Sequence, residues 1–220
     1  MATKKATQKN TSKEGILTSY INSTLEDGHA PTSVFKFCKE NGFEESEFYK
    51  HFGSLEAVQK YVWIAFFENT EAVAAKTEGY DQYSNREKML AFFYSFFEVL
   101  TLNRSYVLFA LKEHRNMLKN LEQLSGLRRK VKEFASGLIE DKNAEKQFKL
   151  TKHSPEFFSE GAWLQLLFLL KFWMDDSSPS FEKTDVAIEK SVNTIFDVFD
   201  NTPLDSLLDF GKFLWKEKMV

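Results

Sequence analysis

The sequence predicts an all-α protein. Of its 220 residues, 43% are hydrophobic and 28% are charged, a balance that is typical of a folded globular chain and excludes a wholly disordered one. Apolar residues recur at spacings of three and four along nearly the whole chain, and no segment alternates as a β-strand does. The four prolines and nine glycines are too few for a turn-rich β protein, and the 23 phenylalanines predict an aromatic core.

Four helices are predicted in the first third of the chain. The first follows an apolar stripe from Ile16 to Leu25, the second and third are short and contain Phe37 and Phe48, and the fourth is long and ends near residue 75. Their ends coincide with residues that favour caps and turns, at Gly28 and at residues 31–33, 41–42 and 53–54.

Six further helices follow a loop at 77–84, at about 85–102, 105–118, 119–140, 155–174, 181–200 and 203–218. The helix at 155–174 is apolar on nearly all sides, so it must bury one face in its own domain and offer another to a partner. Its apolar stretch from Trp163 to Met174 is shorter than the roughly 20 residues needed to cross a bilayer, and we predict no membrane span.

The sequence contains no motif that is typical of a catalytic or metal site. It has no nucleophile elbow, phosphate-binding glycine loop or His-Glu-x-x-His pair, and its histidines do not have the spacing of metal ligands. The single cysteine, Cys38, excludes an intramolecular disulfide and suits a reducing compartment, so a cytoplasmic location is expected. We therefore predict that the protein is not an enzyme, has no catalytic or metal-binding residues and needs no cofactor.

Residues 32–58 read TSVFKFCKENGFEESEFYKHFGSLEAV, two short helices around a turn that contains Gly42. This pattern fits a helix-turn-helix, and it resembles the TetR family of one-component bacterial regulators. In that family the recognition helix closes with Tyr, a variable or basic residue, His or Tyr, and Phe, as it does here from Tyr49 to Phe52. The motif match covers about residues 14–60.

The resemblance implies a TetR-like fold with three parts. A flexible basic arm at 1–13 precedes a three-helix helix-turn-helix domain at 14–60, and a C-terminal helical ligand-binding and dimerisation domain occupies 61–220. The helices at 155–174 and 181–200 would form a homodimer that binds double-stranded DNA. An apolar or amphipathic small molecule bound in the C-terminal domain would control that binding.

The resemblance also implies roles for individual residues. Phosphate contacts are expected from Thr32, Tyr49, Lys50 and His51. Base contacts are expected from Ser46 and Glu47, and Lys36 belongs to the same DNA-binding set. The expected walls of the ligand pocket are aromatic: Phe93, Phe96, Phe97, Tyr106 and Phe109.

Two departures from the family pattern leave a second function open. Leu55 stands where the family usually has a lysine that contacts phosphate, and the recognition helix begins with three carboxylates, Glu44, Glu45 and Glu47, which a polyanion repels. The alternative is a TetR-fold lipid-binding or interaction protein that has lost DNA binding, similar to the accessory proteins of coenzyme Q synthesis. The lysines and aromatics of the last predicted helix, 203–218, would suit such an interfacial role.

Overall fold

The computed structural model describes residues 12–112, 117–144 and 154–201, and within these ranges it contains helices and no β-strand. The all-α prediction is confirmed. The α-helices are α1 (Lys13–Asp27), α2 (Val34–Asn41), α3 (Glu45–His51), α4 (Leu55–Ala74), α5 (Asn85–Leu102), α6 (Arg104–Lys112), α7 (Met117–Glu122), α8 (Ser125–Ala144), α9 (Pro155–Asp175) and α10 (Glu182–Asn201). Short 3-10 helices lie at Tyr80–Gln82 and Pro179–Phe181.

The ends of the N-terminal helices follow the cap and turn residues of the sequence. Ser33 precedes α2, and its hydroxyl accepts a hydrogen bond from the backbone N–H of Lys36 at 3.3 Å. Gly28 after α1 and Gly42 after α2 have φ values of 68° and 73°, in the left-handed region that glycine adopts without steric cost. Both turns therefore depend on the absence of a side chain.

The described chain departs from the sequence-based expectations at two places near its helices. Lys13 is the first residue of α1, inside the stretch expected to be the basic arm, and its ammonium lies 3.4 Å from the centroid of the Tyr61 ring. The helix expected at 119–140 is interrupted after Glu122, where the N–H of Leu124 turns back to the carbonyl of Leu121. Residues 1–11 and the helix expected at 203–218 lie outside the described residues.

The first of two compact units comprises Met1–Ala72 and Phe96–Lys130. It combines α1 to α3 and most of α4 with the end of α5, with α6 and α7, and with the start of α8. Its core is aromatic, as the composition predicted: the fully buried rings are Tyr20, Phe37, Phe48, Trp63, Phe67, Phe96 and Tyr106. Phe37 joins α1 to α3, because its ring centroid lies 6.4 Å from that of Tyr20 and 6.1 Å from that of Phe48.

The second unit comprises Val73–Ser95 and Val131–Val220, and its described helices are the start of α5, most of α8, and α9 and α10. Phe158 of α9 packs edge-on against Phe196 of α10 at 5.5 Å. Arg86 of α5 donates to the carboxylate of Asp197 at 2.6 Å and lies over the ring of Phe196. These contacts tie α5 and α9 to the same stretch of α10.

The turn between α9 and α10 is organised by one carboxylate, that of Asp176. Its Oδ1 accepts hydrogen bonds from the N–H and hydroxyl of Ser178 at 2.8 and 2.6 Å. Its Oδ2 accepts from the N–H and hydroxyl of Thr184 at 2.9 and 2.7 Å. Burial opposes ionisation of this group, but the four hydrogen bonds outweigh burial and hold the pKa of Asp176 well below its usual range.

This lowered pKa predicts acid sensitivity of the α9–α10 turn. A carboxylate whose pKa is lower in the folded state stabilises the fold above its unfolded pKa of about 4, and that stability is lost as the pH falls toward the folded pKa. We expect Asp176→Asn to lower the melting temperature at pH 7 by several degrees. The difference from the parent protein should shrink steadily below about pH 4, and calorimetry at pH 7, 4 and 3 would measure it. A difference that is constant over this range would contradict the assigned role.

Candidate functional site

The helix-turn-helix is built from α2, the turn at Gly42 and α3. The N–H of Phe43 donates to the carbonyl of Cys38 at 2.8 Å, which closes the turn. Phe43 and Phe48 are buried on either side of it, each with its ring about 6 Å from that of Phe37. The core of this motif therefore uses only one face of α3 and leaves the opposite face to solvent.

The residues expected to bind DNA are accessible in this arrangement. Thr32, Lys36, Ser46, Tyr49, Lys50 and His51 are exposed, and Glu47 is half-buried. Tyr49 has 52% of its surface exposed although it lies beside the buried Phe48. A tyrosine that is half in water between two polar neighbours can donate its hydroxyl to a ligand such as a phosphate oxygen.

The lysines of α2 and α3 already contact side chains of their own helices. Lys50 donates to Glu47 at 2.5 Å, Lys36 lies 3.7 Å from Glu40, and the ammonium of Lys39 lies 6.0 Å from the ring centroid of Phe35. Exposed pairs of this kind contribute little to stability because water and salt screen them. They do neutralise positive charge on the surface that would face DNA, so a phosphate must compete with Glu47 for Lys50.

Cys38 lies inside the helix-turn-helix and is 1% exposed. Burial raises the pKa of its thiol to about 11, and the carboxylates of Glu45 and Glu44 contribute in the same direction. The thiol therefore stays protonated at neutral pH and is a poor nucleophile. Its position and charge state are those of a core residue.

The five residues expected to line a ligand pocket are divided between the two units. Phe93 belongs to the second unit, where its ring lies 5.4 Å from that of Phe92. Phe96, Phe97, Tyr106 and Phe109 belong to the first unit. All are buried except Phe109, which is half-buried. Tyr106 of α6 also contacts Tyr20 of α1 edge-on at 6.4 Å, so one of these residues touches the first helix of the helix-turn-helix domain.

A buried polar bridge joins α4, α6 and α7, and it was not anticipated from the sequence. The indole N–H of Trp63 in α4 donates to Oε1 of Gln123 at 2.9 Å, and Nε2 of Gln123 donates to the carbonyl of Ala110 in α6 at 2.8 Å. Gln123 is 4% exposed and immediately follows α7. A glutamine in an amphipathic pattern carries no sign of burial, so only the structure reveals this contact.

An apolar face of α9 remains in water. It consists of Phe157, Gly161, Leu164, Phe168 and Phe172. Leu164 is 63% and Phe168 is 58% exposed, which is unusual for large apolar side chains. Phe172 also lines a groove of about 490 Å³ whose other walls come from α10, among them Val186, Ala187 and Lys190.

No group of histidine, cysteine and acidic side chains that could hold a metal ion occurs among the described residues. Within the same ranges, none of the helices combines the length and the apolar character required to span a membrane.

Comparisons with known proteins add a family and a fold. Residues 88–214 match the family model described as the tetracyclin repressor-like C-terminal domain. A search of the curated proteins finds no match to the sequence.

Among solved structures, the chain is similar to a proposed TetR-family transcriptional regulator from Syntrophomonas wolfei strain Goettingen. The two share 18% sequence identity and superpose with a TM-score of 0.63, over 86% of this chain and 95% of the other. At this identity the likeness shows a common fold. It extends over the helix-turn-helix as well as the region that the family model covers.

Proposed function

Because the chain belongs to the TetR family, we propose that it is a cytoplasmic transcriptional regulator that binds double-stranded DNA as a homodimer, under the control of an apolar or amphipathic small molecule. The family match covers the C-terminal half and the earlier resemblance rests on residues 32–58, so two separate parts of the chain support the same assignment. The observation that carries the proposal is the solvent exposure of six of the seven expected DNA contacts on an intact helix-turn-helix.

In the proposed complex α3 enters the major groove, and the exposed side chains divide into two kinds of contact. Thr32, Tyr49, Lys50 and His51 bind phosphates and set the register, while Ser46 and Glu47 face the bases. When Lys50 turns from Glu47 to a phosphate, the carboxylate of Glu47 loses its partner. It can then accept a hydrogen bond from the amino group of a cytosine.

Control by a ligand follows from the position of α6. Tyr106 is both an expected pocket residue and a direct neighbour of Tyr20 in α1, within one compact unit. A ligand that displaces Tyr106 therefore acts on the helix-turn-helix domain through a ring contact. In a dimer, a small change in the separation of the two α3 helices prevents both from reaching half-sites about 34 Å apart.

The proposal is tested by selection of DNA fragments with the purified full-length protein. Duplexes from a random library should be enriched for a two-fold symmetric sequence, and footprinting should protect two half-sites about one helical turn apart. Tyr49→Phe and Lys50→Ala should weaken binding to the selected site, whereas the exposed Leu102→Ala, far along the chain from α3, should not. Recovery of no preferred sequence would contradict DNA-specific regulation.

The charge of α3 supports a second candidate, an interaction or lipid-binding protein of the same fold. Glu44, Glu45 and Glu47 begin the helix, and its one lysine, Lys50, is paired with Glu47. Phosphate neutralisation supplies most of the non-specific affinity of proteins for DNA, and this surface offers little of it. A cationic partner would meet the same surface without repulsion.

One double variant separates the two candidates, Glu45→Gln with Glu47→Gln. If α3 reads DNA, loss of the carboxylate acceptor relaxes specificity at one base pair by roughly 1–3 kcal/mol, and the selected site loses its preference there. If the protein does not read DNA, the change only removes repulsion and releases Lys50, so weak affinity for all duplexes rises. Binding to the selected site and to random duplex, measured at one salt concentration, distinguishes these outcomes. We expect the first.

A further inference from the structure

The exposed positions on the apolar face of α9 are symmetrically spaced. Residues 157 and 172 are centred on the same point as residues 161 and 168, and that point lies beside Leu164. At 100° per residue, all five positions fall within an arc of about 80° and extend over roughly 22 Å of helix. None of them is charged.

A two-fold axis turns this spacing into a matched pair of surfaces. In an isologous dimer, residue i of one copy meets residue j of the other, and j meets i. If two α9 helices cross antiparallel with the axis at Leu164, Phe168 of each copy lies opposite Gly161 of the partner subunit. Phe172 then lies opposite Phe157 of the partner subunit, and the two Leu164 side chains meet at the axis. Large residues face small ones, as close packing requires.

We propose that two copies of the chain pair through α9 in this antiparallel register, with each Phe168 seated over the other copy's Gly161. The proposal rests on the homodimer of the proposed function and specifies how its subunits recognise each other. A parallel pairing in register would place two Phe168 rings together and two glycines together, and would leave a void at Gly161.

The environment of Gly161 agrees with a neighbour from outside the subunit. A Cβ atom built on Gly161 meets no atom within 4 Å, so nothing inside the subunit requires glycine at this position. By contrast, a Cβ on Gly126 would lie 2.7 Å from Cδ1 of Ile64, and that glycine is needed for internal packing. Glycine inside a helix is unfavourable relative to other residues, and here a second helix would gain from it by approaching closely.

The groove beside Phe172 has an occupant in the same register. The Phe157 ring of the partner subunit reaches the level of Phe172, where Val186 and Ala187 of α10 complete an apolar floor. A groove of about 490 Å³ is large enough for a phenyl ring and part of its helix. This contact brings α10 into the interface, in line with the exposure of Val186.

A matched pair of glycine substitutions tests the register. Gly161→Leu should weaken dimerisation by about 100-fold or more, measured by sedimentation over a dilution series, because the leucine occupies the space of Phe168. Gly137→Leu is the control, since Gly137 is also helical and its Cβ also meets nothing within 4 Å, but it lies on α8 outside the apolar face. Adding Phe168→Ala to Gly161→Leu should recover at least tenfold in affinity. Equal behaviour of the two leucine variants would overturn the register.

Cross-linking tests the register independently of any loss of fold. Gly161→Cys protein mixed with size-tagged Phe168→Cys protein should form disulfide-linked heterodimers under mild oxidation, and the parent chain should not, since Cys38 is buried. Linked Phe168→Cys homodimers without heterodimers would instead indicate parallel pairing and refute the proposal. If the parent protein is monomeric at micromolar concentration, the homodimer of the proposed function fails as well. If it is dimeric and both tests are negative, only the register fails.

Discussion

Replacing Leu164 and Phe168 together by glutamate is expected to convert the protein to monomers and to weaken its binding to a two-half-site DNA by at least about 1000-fold. Burial of a large apolar side chain contributes roughly 1.5–3 kcal/mol, and a two-fold axis counts each side chain twice. Four carboxylates brought together without cations oppose association further. The subunit itself should stay folded, because both side chains are more than half exposed.

Sedimentation velocity and DNA titration measure the two effects. The matched control is Leu102→Glu, which places the same charge on a leucine that is 80% exposed and lies in the first unit. It should leave both the dimer and the DNA affinity intact. A dimeric Leu164→Glu, Phe168→Glu protein would show that the face of α9 described above is not the interface.

Gln123→Leu is expected to lower the free energy of unfolding by about 2–4 kcal/mol. The substitution removes the acceptor of the buried Trp63 indole N–H and the donor to the carbonyl of Ala110. Each buried polar group left without a partner costs about 1–3 kcal/mol. Ala110 lies in the last turn of α6, where its carbonyl has no partner within the helix, so the side chain of Gln123 also acts as a cap.

Urea unfolding followed by circular dichroism would quantify this loss. Glu122→Gln serves as the control, since it removes only the exposed pair with Lys60 at 3.4 Å and should cost less than about 1 kcal/mol. Adding Trp63→Phe to Gln123→Leu removes the orphaned donor, so the double variant should be less destabilised than the two single changes added together. Strict additivity would mean that the Trp63–Gln123 bond contributes nothing.

Much of the fold follows from local signals in the sequence. Gly28 and Gly42 end helices because they supply left-handed backbone, and Ser33 caps one because its hydroxyl can reach an unpaired N–H. Such signals act over three or four residues and are read directly from the sequence. The break between α7 and α8 has no such signal, because the apolar period continues through Leu121 and Leu124 and the turn depends on Gln123 contacting helices distant in sequence.

The dimer face shows a different limit of sequence reasoning. The apolar residues of α9 cover almost the whole helix, which predicts burial on two sides but does not indicate which side faces the subunit core. Leu170, only 3% exposed, belongs to that core, whereas Leu164, six residues earlier, is in water. An amphipathic helix shows its orientation through its polar residues, and α9 has too few of them.

The ion pair between Lys50 and Glu47 has a consequence for how the protein would find its target. Positively charged readers are steered toward DNA from a distance and slide along it while they search. With Lys50 held by Glu47 and Lys36 beside Glu40, this surface gains little from that attraction. Such a reader would spend most of its time unbound and would collide with DNA at random. Its occupancy of a site would then depend on protein concentration and on contacts made after collision, and only weakly on ionic strength.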